Sequence, residues 1–531
     1  MVAGGAVCFL ATNWASRGQP LAETVERLLK RYKAAEGRRE RFRSQYSDAD
    51  DYTMPERNLW TKAEEGQKRN TKIYDSTGVQ ARTSFANRIQ SDMFPPFQRW
   101  MALKTGPLVP EGQKLAVEKA LETATTACHA IIAASNFDTV INECLSELAN
   151  GTFIMLREEG GEEEPLILTC IPCAHAAIEE GKRGTISAVF REYELEGRNI
   201  MATWPDAKLS SKIERQATEN PEAKIKLIES SYEEDGKWSY CLLCEDDKSE
   251  ILKRTYEDNP FIVVRWSKVP GEVWGRGPVL NALPDIRTLN KLVELTLRYA
   301  SLRVAGIWMV PNDGVMNPNN VIIAPGARIP IAPNSAGLQN VAPEGDMQLA
   351  NLEREKLTMS IQRQMYDTRL PPDVGPVRSA TEIMERVKEL VRDIGAPFGR
   401  LMIEFVVPFI QGVLNTAHKR GLILERVRVD GMMVRAQVVS PLAMVQNVSD
   451  VENAVRWMQI LSAFGQETLA VSAKLEDFGE WVGEKMGVPL ALRRTAEERK
   501  AMQQMAGQVI AQQQGNVAAS QIASGNVIPV A

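Results

Sequence analysis

The feature that most constrains this chain is one very long helix predicted between Ser379 and Gly421. Its first residues, Ser379-Ala380-Thr381-Glu382, follow a capping-box pattern, and its basic last turn precedes Gly421, a residue typical of helix ends. Pro397 lies in the interior and predicts a kink. A helix of roughly forty residues spans on the order of 60 Å, much longer than the usual globular helix. A single small core cannot accommodate such an element.

A second helix with two distinct faces is predicted earlier, after Pro278. Apolar and charged residues recur on it at three- and four-residue steps, which is typical of a helix at a wall between protein and water. Glu294 and Arg298 are spaced to form an ion pair along the helix. The apolar stripe consists of Ile286, Leu289, Val293, Leu297, Ala300 and Val304, and the charged stripe of Arg287, Lys291, Glu294 and Arg298.

A third helix is predicted over Asp346–Tyr366, and an insert separates it from the second. The insert, Ile307–Pro333, alternates β-branched residues with Pro, Gly and Asn and predicts short strands and turns. After the third helix, the prolines of Thr368–Val377 exclude regular structure. Two helices around an insert, then a loop and a long helix, indicate a scaffold that builds walls.

The N-terminal half is predicted to be α+β, with helices first and antiparallel strands after them. The first helix is dense in charge, and we expect it to be a solvated outer helix. The predicted helices are Leu21–Tyr46, Thr77–Met93, Glu111–Ser135 and Phe137–Asn150, and the predicted strands are Thr152–Arg157, Leu166–Ile171, Ile186–Tyr193, Lys224–Ser231, Tyr240–Glu245 and Phe261–Trp266.

The segment after Gly421 predicts a short β segment followed by helices and a weakly structured tail. These elements are placed at Arg426–Val439, Asp450–Phe464, Ala473–Met486 and Thr495–Gln514.

Length and charge limit the class of protein. A chain of 531 residues exceeds a single core and implies several domains. The net charge is −5, whereas a protein that neutralises many phosphates is usually basic. Any contact with DNA is therefore expected to be weak or local. Seven cysteines in so long a chain indicate a reducing compartment rather than a disulfide framework.

One pair of motifs suggests a metal. Cys170 and Cys173, with Cys241 and Cys244, offer four thiols that could hold zinc. The gap between the two pairs is far longer than in zinc ribbons, and both lie in apolar runs where cysteine is a small buried side chain. We therefore expect no metal and no cofactor, and a zinc-stapled nucleic-acid-binding protein stays as an alternative.

Nothing in the sequence predicts an enzyme. The Gly-Lys steps at Gly181 and Gly236 lack the spacing and the Ser/Thr of a phosphate-binding loop. None of the three histidines stands in the context of a nucleophile or a metalloprotease helix.

Neither of the two most apolar segments of the chain favours contact with a membrane. Met1–Thr12 is apolar without a basic region, so we expect no signal peptide. Ile394–Ala417 is apolar but carries Arg400 and Glu404, whose cost in a bilayer favours a buried helix between packed neighbours.

An ordered set of short motifs resembles the portal proteins (head-to-tail connectors) of podovirus-type bacteriophages. The resemblance covers roughly Glu26 to Gly421. Its motifs are Tyr74-Asp75-Ser76-Thr77-Gly78, Pro95-Pro96, Trp100-Met101-Ala102-Leu103, Asn259-Pro260, Arg265-Trp266, Gly271-Glu272, Gly275-Arg276-Gly277-Pro278, Leu289-Asn290, Pro325-Gly326 and Ser379-Ala380-Thr381-Glu382.

The resemblance implies an α+β multidomain portal fold with a mixed α/β wing, a helical stem, a small β-containing clip, a long kinked helix and a helical C-terminal crown. The implied divisions are wing 1–277, first stem helix 278–304, clip 305–345, second stem helix 346–366, tunnel loop and long wing helix 367–421, and crown 422–531, with a possible barrel helix at Thr495–Gln514.

The resemblance also implies a function. Identical copies would form a ring, expected to be a dodecamer, at one capsid vertex of the virion, after assembly in the host cytoplasm. The ring would pass double-stranded DNA during packaging and ejection without sequence specificity. The implied partners are the major capsid protein, scaffolding protein, terminase, tail adaptor proteins and internal core proteins, with no membrane.

Two sets of residues are candidates for contact with DNA. Those of the tunnel loop are Arg363, Arg369, Pro371, Pro372 and Arg378. Those of the stem are Arg287, Lys291 and Arg298. Their cations could touch passing phosphates or bond neighbouring subunits instead. A structural adaptor ring that does not conduct DNA is the remaining alternative.

Overall fold

The structure is a computed structural model. It describes residues 25–60, 66–96, 98–305, 308–309, 333, 339–340, 347–367, 395–438, 441–464, 472–473 and 475–485. The described chain divides into two compact units. The larger takes in the residues up to 367 together with 395–437, and the smaller takes in those from 438 onward.

Helices and strands alternate along the larger unit. Its helices are α1 (Val25–Thr53), α2 (Thr77–Met93), α3 (Glu111–Ala133), α4 (Phe137–Leu148), α5 (Gly197–Thr203), α6 (Ser211–Glu219), α7 (Pro278–Ala305), α8 (Met347–Gln364), α9 (Gly395–Leu401), a π-helix (Met402–Val406) and α10 (Val407–Lys419). Its strands are β1 (Met101–Thr105), β2 (Thr152–Glu159), β3 (Leu166–Ile171), β4 (Ala176–Glu180), β5 (Ile186–Glu196), β6 (Lys224–Glu234), β7 (Lys237–Cys244), β8 (Ser249–Tyr256), β9 (Phe261–Arg265), β10 (Trp308–Met309), β11 (Gln339–Asn340) and β12 (Val434–Val438).

Two antiparallel sheets form the centre of the larger unit. One has five strands in the order β4-β5-β6-β7-β8, and the other has three in the order β3-β2-β9. Successive residues of a strand point to opposite faces of its sheet, and apolar residues occur on both faces. Each sheet is therefore buried on two sides. Leu242 and Ile225 of the first sheet share one cluster with Leu156 and Val263 of the second.

Helix α1 covers the opposite face of the five-stranded sheet. Leu28 and Tyr32 of α1 pack against Phe190 and Ile228 of the sheet in a separate cluster. Arg39, in the middle of α1, is buried and donates from Nη1 to the Ala174 carbonyl oxygen at 2.7 Å. The prediction of a solvated outer helix is therefore wrong for one face of α1. Its apolar residues are spaced too thinly among charges to show that face in the sequence.

Aromatic rings join the C-terminal helices to the N-terminal ones. Phe405 of the π-helix lies 5.3 Å from Phe94 and 5.5 Å from Phe153, measured between ring centroids. Phe409 of α10 lies 5.0 Å from Phe137. The helical segment Pro397–Lys419 is long and apolar enough to cross a membrane by length and composition alone. These ring contacts make it a core helix of the larger unit, as the sequence predicted for this segment.

The long predicted helix is described only from Gly395 onward, and the capping box at Ser379 lies outside the described residues. From Gly395 to Lys419 the chain is helical, with a π-helix in its middle, and the kink expected at Pro397 stays a prediction. Pro408 explains the position of the π-helix. It lacks an N–H, and in a regular α-turn its ring would press on the carbonyl of Glu404, which the wider π turn avoids.

Small elements complete the chain. β1 pairs with β12, and β10 pairs antiparallel with β11. The smaller unit contains α11 (Pro441–Ala463), which begins nine residues before its predicted start at Asp450, and α12 (Leu475–Lys485). Thr495–Gln514 lies outside the described residues.

Candidate functional site

Helices α7 and α8 form an antiparallel pair. Asp285, near the start of α7, accepts hydrogen bonds at 2.8 Å from Ser360 Oγ and from Gln364 Nε2, near the end of α8. The chain crosses from one helix to the other through a segment in which only Trp308–Met309 and Gln339–Asn340 are described as paired strands. The predicted helix–insert–helix order is thus present.

Burial changes along the pair. Near its base, Val279, Ile286 and Leu289 of α7 and Ile361 of α8 are buried. Toward the far end, large apolar side chains are exposed. Leu295, Leu297, Leu302, Val304, Leu349 and Leu352 are between 46% and 89% exposed. An apolar set of this size exceeds the scattered exposure of an ordinary surface and is typical of a surface that contacts another molecule.

The charged stripe of α7 is neutralised within the same chain. Glu294 pairs with Lys291 at 3.0 Å and also with Arg298, and the Lys291 hydrogen bond together with the Arg298 charge holds the pKa of Glu294 below its ordinary value. Arg287 pairs with Asp48 of α1. The ion pair predicted between Glu294 and Arg298 is confirmed. The three predicted stem cations therefore already have carboxylate partners.

An asparagine attaches α7 to the chain segment before α2. Asn290 Oδ1 accepts hydrogen bonds from the backbone N–H of Tyr74 at 2.7 Å and of Asp75 at 3.1 Å. Its Nδ2 donates to the Lys72 carbonyl oxygen at 2.8 Å. One side chain thus satisfies three backbone groups, which explains why a polar residue interrupts the apolar stripe. Two of the motifs of the resemblance meet here.

The glycine motif before α7 packs backbone on backbone against the segment that precedes β2. A Cβ at Gly275 would overlap the carbonyl oxygen of Gly151, and one at Gly277 would overlap that of Ala149. Gly277 N donates to the Asn150 carbonyl oxygen at 2.9 Å. The Tyr46 hydroxyl of α1 donates to the Gly275 carbonyl oxygen at 2.6 Å. Only glycine permits this approach, which fixes where α7 begins.

A buried ion pair lies behind this contact. Arg82 of α2 pairs with Asp50 of α1 at 2.7 Å, and both side chains are almost fully buried. Asn150 Nδ2 donates to the same Asp50 carboxylate at 2.7 Å. Nearby, burial and the Asp50 charge raise the pKa of Glu147 to about 7, although Arg82 and Arg57 oppose the shift. Three helices are thus joined by charges that bulk water cannot reach.

A second buried cation ties the sheets to the π-helix. Arg265, at the end of β9, donates to Glu404 from its backbone N at 2.9 Å and from Nη2 at 2.7 Å. It also donates to the Gly184 carbonyl oxygen at 3.0 Å. Arg400 Nη1 contacts Oε1 of Glu404, the same oxygen that Arg265 Nη2 contacts, at 3.0 Å. The carboxylate that argued against a membrane span therefore has a structural partner.

The predicted loop residues are mostly outside the described residues: this applies to Arg369, Pro371, Pro372 and Arg378. Arg363 is described and lies exposed in the last turn of α8. The shared role of the loop residues and the stem residues stays a prediction.

The cysteine motifs are divided by the fold. Cys241 and Cys244 lie in different apolar clusters on opposite faces of β7. Cys173 Sγ donates to the Thr152 carbonyl oxygen at 3.2 Å. Within the described ranges, no three His, Cys, Asp or Glu side chains are grouped to hold a metal. The four thiols of the zinc alternative are therefore not assembled around one point.

Sequence reasoning missed the anchors Asp48, Asp50 and Arg82. They are ordinary charges on charged helices, and their partners are distant in sequence. Asn290 did carry a signal, since an amide inside an apolar helix stripe predicts a buried hydrogen-bond partner.

Comparison with known proteins agrees with this architecture. A family model described as "Bacteriophage head to tail connecting protein" matches residues 25–493. The "Probable portal protein" of Bordetella phage BPP-1 is 25% identical over 483 residues, which are 83% of this chain and 84% of that protein. The "Portal protein" of Salmonella phage epsilon15 is 22% identical over 549 residues, covering 92% and 94%.

A further relative is the "Portal protein" of Enterobacteria phage T3, 21% identical over 379 residues, covering 68% of this chain and 69% of that protein. Among solved structures, the neck of an empty gene transfer agent particle aligns at a TM-score of 0.36 and 10% identity, covering 81% of this chain and 96% of that one.

The family model spans most of the sequence, and the predicted resemblance is confirmed: the chain belongs to the bacteriophage head-to-tail connecting protein family.

Proposed function

We propose that copies of this chain close into a ring, with the α7–α8 pairs around a central passage for double-stranded DNA. The observation that carries the proposal is the far end of the pair, where Leu297, Val304 and Leu352 are exposed in a single copy. Apolar area of this kind is buried most simply against a neighbouring copy. As a head-to-tail connecting protein, the chain acts at the capsid vertex of a phage virion.

The charge of α7 supports a passage in which DNA slides. Each firm phosphate contact adds affinity and salt dependence, so a conduit must present few free cations. In α7, Glu294 occupies both Lys291 and Arg298, and Asp48 occupies Arg287. These pairs leave α7 close to neutral along the stripe that would face the duplex.

The finer assignments are part of the same proposal. We assign the sheets and α1–α4 to a wing, α7 and α8 to a stem, the segment between them to a clip, and residues 422–531 to a crown. Arg363, Arg369, Pro371, Pro372 and Arg378 belong to a loop that touches DNA in the passage. A dodecameric copy number, docking of terminase, and contacts with capsid, scaffolding, tail adaptor and core proteins complete the proposal.

The ring is tested by imaging. Negative-stain images and native mass of the purified chain should show an annulus of identical copies with an open centre. A compact single-copy particle, or a ring whose centre is filled by packed protein, would refute the proposal. Deleting 371–376 should leave the ring intact and reduce packaged DNA, whereas a monomeric product would show that the loop is misplaced.

The near-neutral charge of the α7 stripe is tested separately with Glu294→Gln. This change frees Lys291 and Arg298, so affinity for linear duplex DNA should rise, and the slope of log K against log salt should steepen by roughly 0.9 per new contact. Wild type should bind poorly at physiological salt. Glu219→Gln is the matched control, because it breaks an exposed pair of the same spacing, Arg215–Glu219 in α6, away from the passage. Equal behaviour of the two variants would contradict the placement of α7.

A further inference from the structure

Two polar atoms beside the buried ion pair of Arg82 and Asp50 are unpaired. They are Arg82 Nη2 and Asn150 Oδ1, and neither has a hydrogen-bond partner among the residues that the structure describes. Arg82 and Asn150 are each 1% exposed, so bulk solvent does not reach these atoms. A buried polar group without a partner loses its hydration and gains nothing in exchange, and native proteins rarely leave one. The two atoms therefore indicate a partner that is not a protein group.

The guanidinium of Arg82 is fixed by its other nitrogens. Nε donates to the Ser146 carbonyl oxygen at 3.0 Å, and Nη1 donates to Asp50 Oδ1 at 2.7 Å and to Thr53 Oγ1 at 3.0 Å. A guanidinium has five N–H groups, so the two on Nη2 remain. Because these bonds reach both α1 and α4, the plane of the guanidinium cannot turn to bring Nη2 to another acceptor.

The amide of Asn150 is also held in one orientation. Its Nδ2 donates to Asp50 Oδ1 at 2.7 Å. Turning the amide over would place Oδ1 against that carboxylate, where two acceptors repel each other. Arg82 Nη1 and Asn150 Nδ2 bond the same carboxylate oxygen, and each unpaired atom is two covalent bonds from one of these nitrogens. An unpaired donor and an unpaired acceptor therefore lie on neighbouring groups around one carboxylate.

The carboxyl of Glu147 borders the same cluster. Its ion pair with Arg57 is 4.0 Å long, too long for a hydrogen bond, and no described residue donates a hydrogen bond to it. Burial and the charge of Asp50 raise its pKa to about 7, and the charge of Arg82 opposes the shift. Glu147 is 6% exposed, so the cluster adjoins the protein surface at this carboxyl. A third polar group thus has hydrogen-bonding capacity that the protein does not use.

The mixture of donors and acceptors selects the ligand. A metal cation would face the charge of Arg82, and in the part of the chain that the structure describes no three His, Cys, Asp or Glu side chains are grouped to hold one. An anion such as chloride would suit Arg82 Nη2 but would face Asp50 and the oxygen of Asn150. Water both donates and accepts hydrogen bonds, and buried waters typically make about three of them. Water is therefore the ligand that satisfies all three groups.

We propose that one enclosed water molecule binds in this cluster, where it accepts a hydrogen bond from Arg82 Nη2 and donates to Asn150 Oδ1 and to the Glu147 carboxyl. A bridge of this kind is nearly as favourable in enthalpy as a direct hydrogen bond. The water links α2 to the start of α7, because the Asn150 carbonyl oxygen accepts from Gly277 N at 2.9 Å. The site is complete within one copy, so it does not depend on the proposed ring or on the passage of DNA.

A density map of the purified full chain, at a resolution that shows ordered waters, tests the proposal. A peak should lie within about 2.7–3.2 Å of both Arg82 Nη2 and Asn150 Oδ1. Thr125, which is 2% exposed, is the control in the same map. Its Oγ1 donates to the Leu121 carbonyl oxygen at 2.8 Å and accepts from Leu103 N at 3.1 Å, so no peak should lie beside it. The proposal is overturned if the cluster has no peak and both atoms remain unpaired.

The chemical nature of the peak is tested in crystals soaked in bromide or in rubidium salts. Both ions scatter anomalously, and neither should give an anomalous signal at the position between Arg82 and Asn150. Bromide at this position would show an anion site, and rubidium would show a cation site. Either result would overturn the assignment to water.

Radiolytic labelling tests the same site in solution. Irradiation makes hydroxyl radicals from water wherever it lies, so a buried side chain beside an enclosed water is oxidised. Cys173 is 2% exposed, and burial together with the charges of Glu147 and Asp50 raises the pKa of its thiol, which places it beside the cluster. Cys128 is the matched control, since it is 0% exposed and burial alone raises its thiol pKa. Cys173 should be oxidised several-fold faster than Cys128 in the native chain, and equal rates would contradict the proposal.

Discussion

The base of α7 and its far end are parts of one helix, yet the base packs against the rest of the chain and the far end is exposed. At the base, Asn290, Gly277 and Gly275 make hydrogen bonds and backbone contacts that other parts of the same chain complete. At the far end, Leu297 and Val304 face solvent at 54% and 89% exposure. The contacts of the first region form when the subunit folds, and those of the second are expected to form when copies assemble. Substitutions at the base should therefore change the unfolding free energy of the subunit, and those at the far end should change the stability of the ring.

The largest effect is expected at the buried ion pair behind the base. Arg82→Met leaves the Asp50 carboxylate buried without its cation, which typically costs about 3–5 kcal/mol of unfolding free energy. Denaturant unfolding of the subunit measures it. Arg41→Met, on the exposed side of α1, is the control and should stay within about 0.5 kcal/mol. A loss below about 1 kcal/mol in Arg82→Met would remove the contrast between the two ends.

A somewhat smaller loss is expected from Gly275→Ala. The new methyl must displace the Gly151 carbonyl, and overpacking of this kind costs about 3 kcal/mol. Gly37→Ala, in α1 where a Cβ meets nothing within 4 Å, should instead add up to about 1 kcal/mol. Chemical unfolding of both variants checks the pair. If Gly275→Ala proved neutral, the backbone contact would not fix the start of α7.

The base should also show a defined pH dependence at Glu147. Its pKa is raised from 4.5 to about 7, so the folded state binds more protons than the unfolded state between those values. Stability should therefore fall as pH rises from about 4.5 to 7. Glu147→Gln removes this loss, and we expect a gain of about 3 kcal/mol above pH 7 with little change near pH 4.5. Unfolding midpoints across this range test it. A variant whose gain does not depend on pH would place the titration elsewhere.

The smallest effect on subunit stability is expected at the far end. Leu297→Ser and Val304→Ser change exposed side chains, so each should alter the unfolding free energy of the subunit by no more than about 0.5 kcal/mol. Both should weaken the ring, because they reduce the apolar area that copies bury between them. Mass measurement over a dilution series shows the concentration at which the ring dissociates. Rings as stable as wild type would mean that these residues do not meet a neighbouring copy.

Local patterns in the sequence predicted elements well where one segment carries the signal by itself. Thr77–Met93 and Leu166–Ile171 have the predicted bounds, because each is short and bounded by turn residues. The two-faced pattern of α7 also identified its ion pair. The strands Ala176–Glu180 and Ser249–Tyr256 were not predicted, since each carries two or more charged residues and gains its β-structure from pairing with a neighbour.

The site was less predictable, since its contacts join distant residues. Asp48 and Arg287 are 239 positions apart. Asp50 and Asn150 are 100 apart. No spacing rule links such residues, and charge on a helix predicts solvent unless its partner is known.

The hydrogen bond from Tyr46 to the Gly275 carbonyl spans 229 residues and has a consequence for synthesis on the ribosome. At roughly 5–20 residues per second, translation of that interval takes about 10–50 s. Until the strands between Ala176 and Tyr256 are made, the apolar side of the nascent N-terminal helix has no complete sheet to cover it. A translational pause before codon 176 should therefore increase aggregation of the newborn polypeptide.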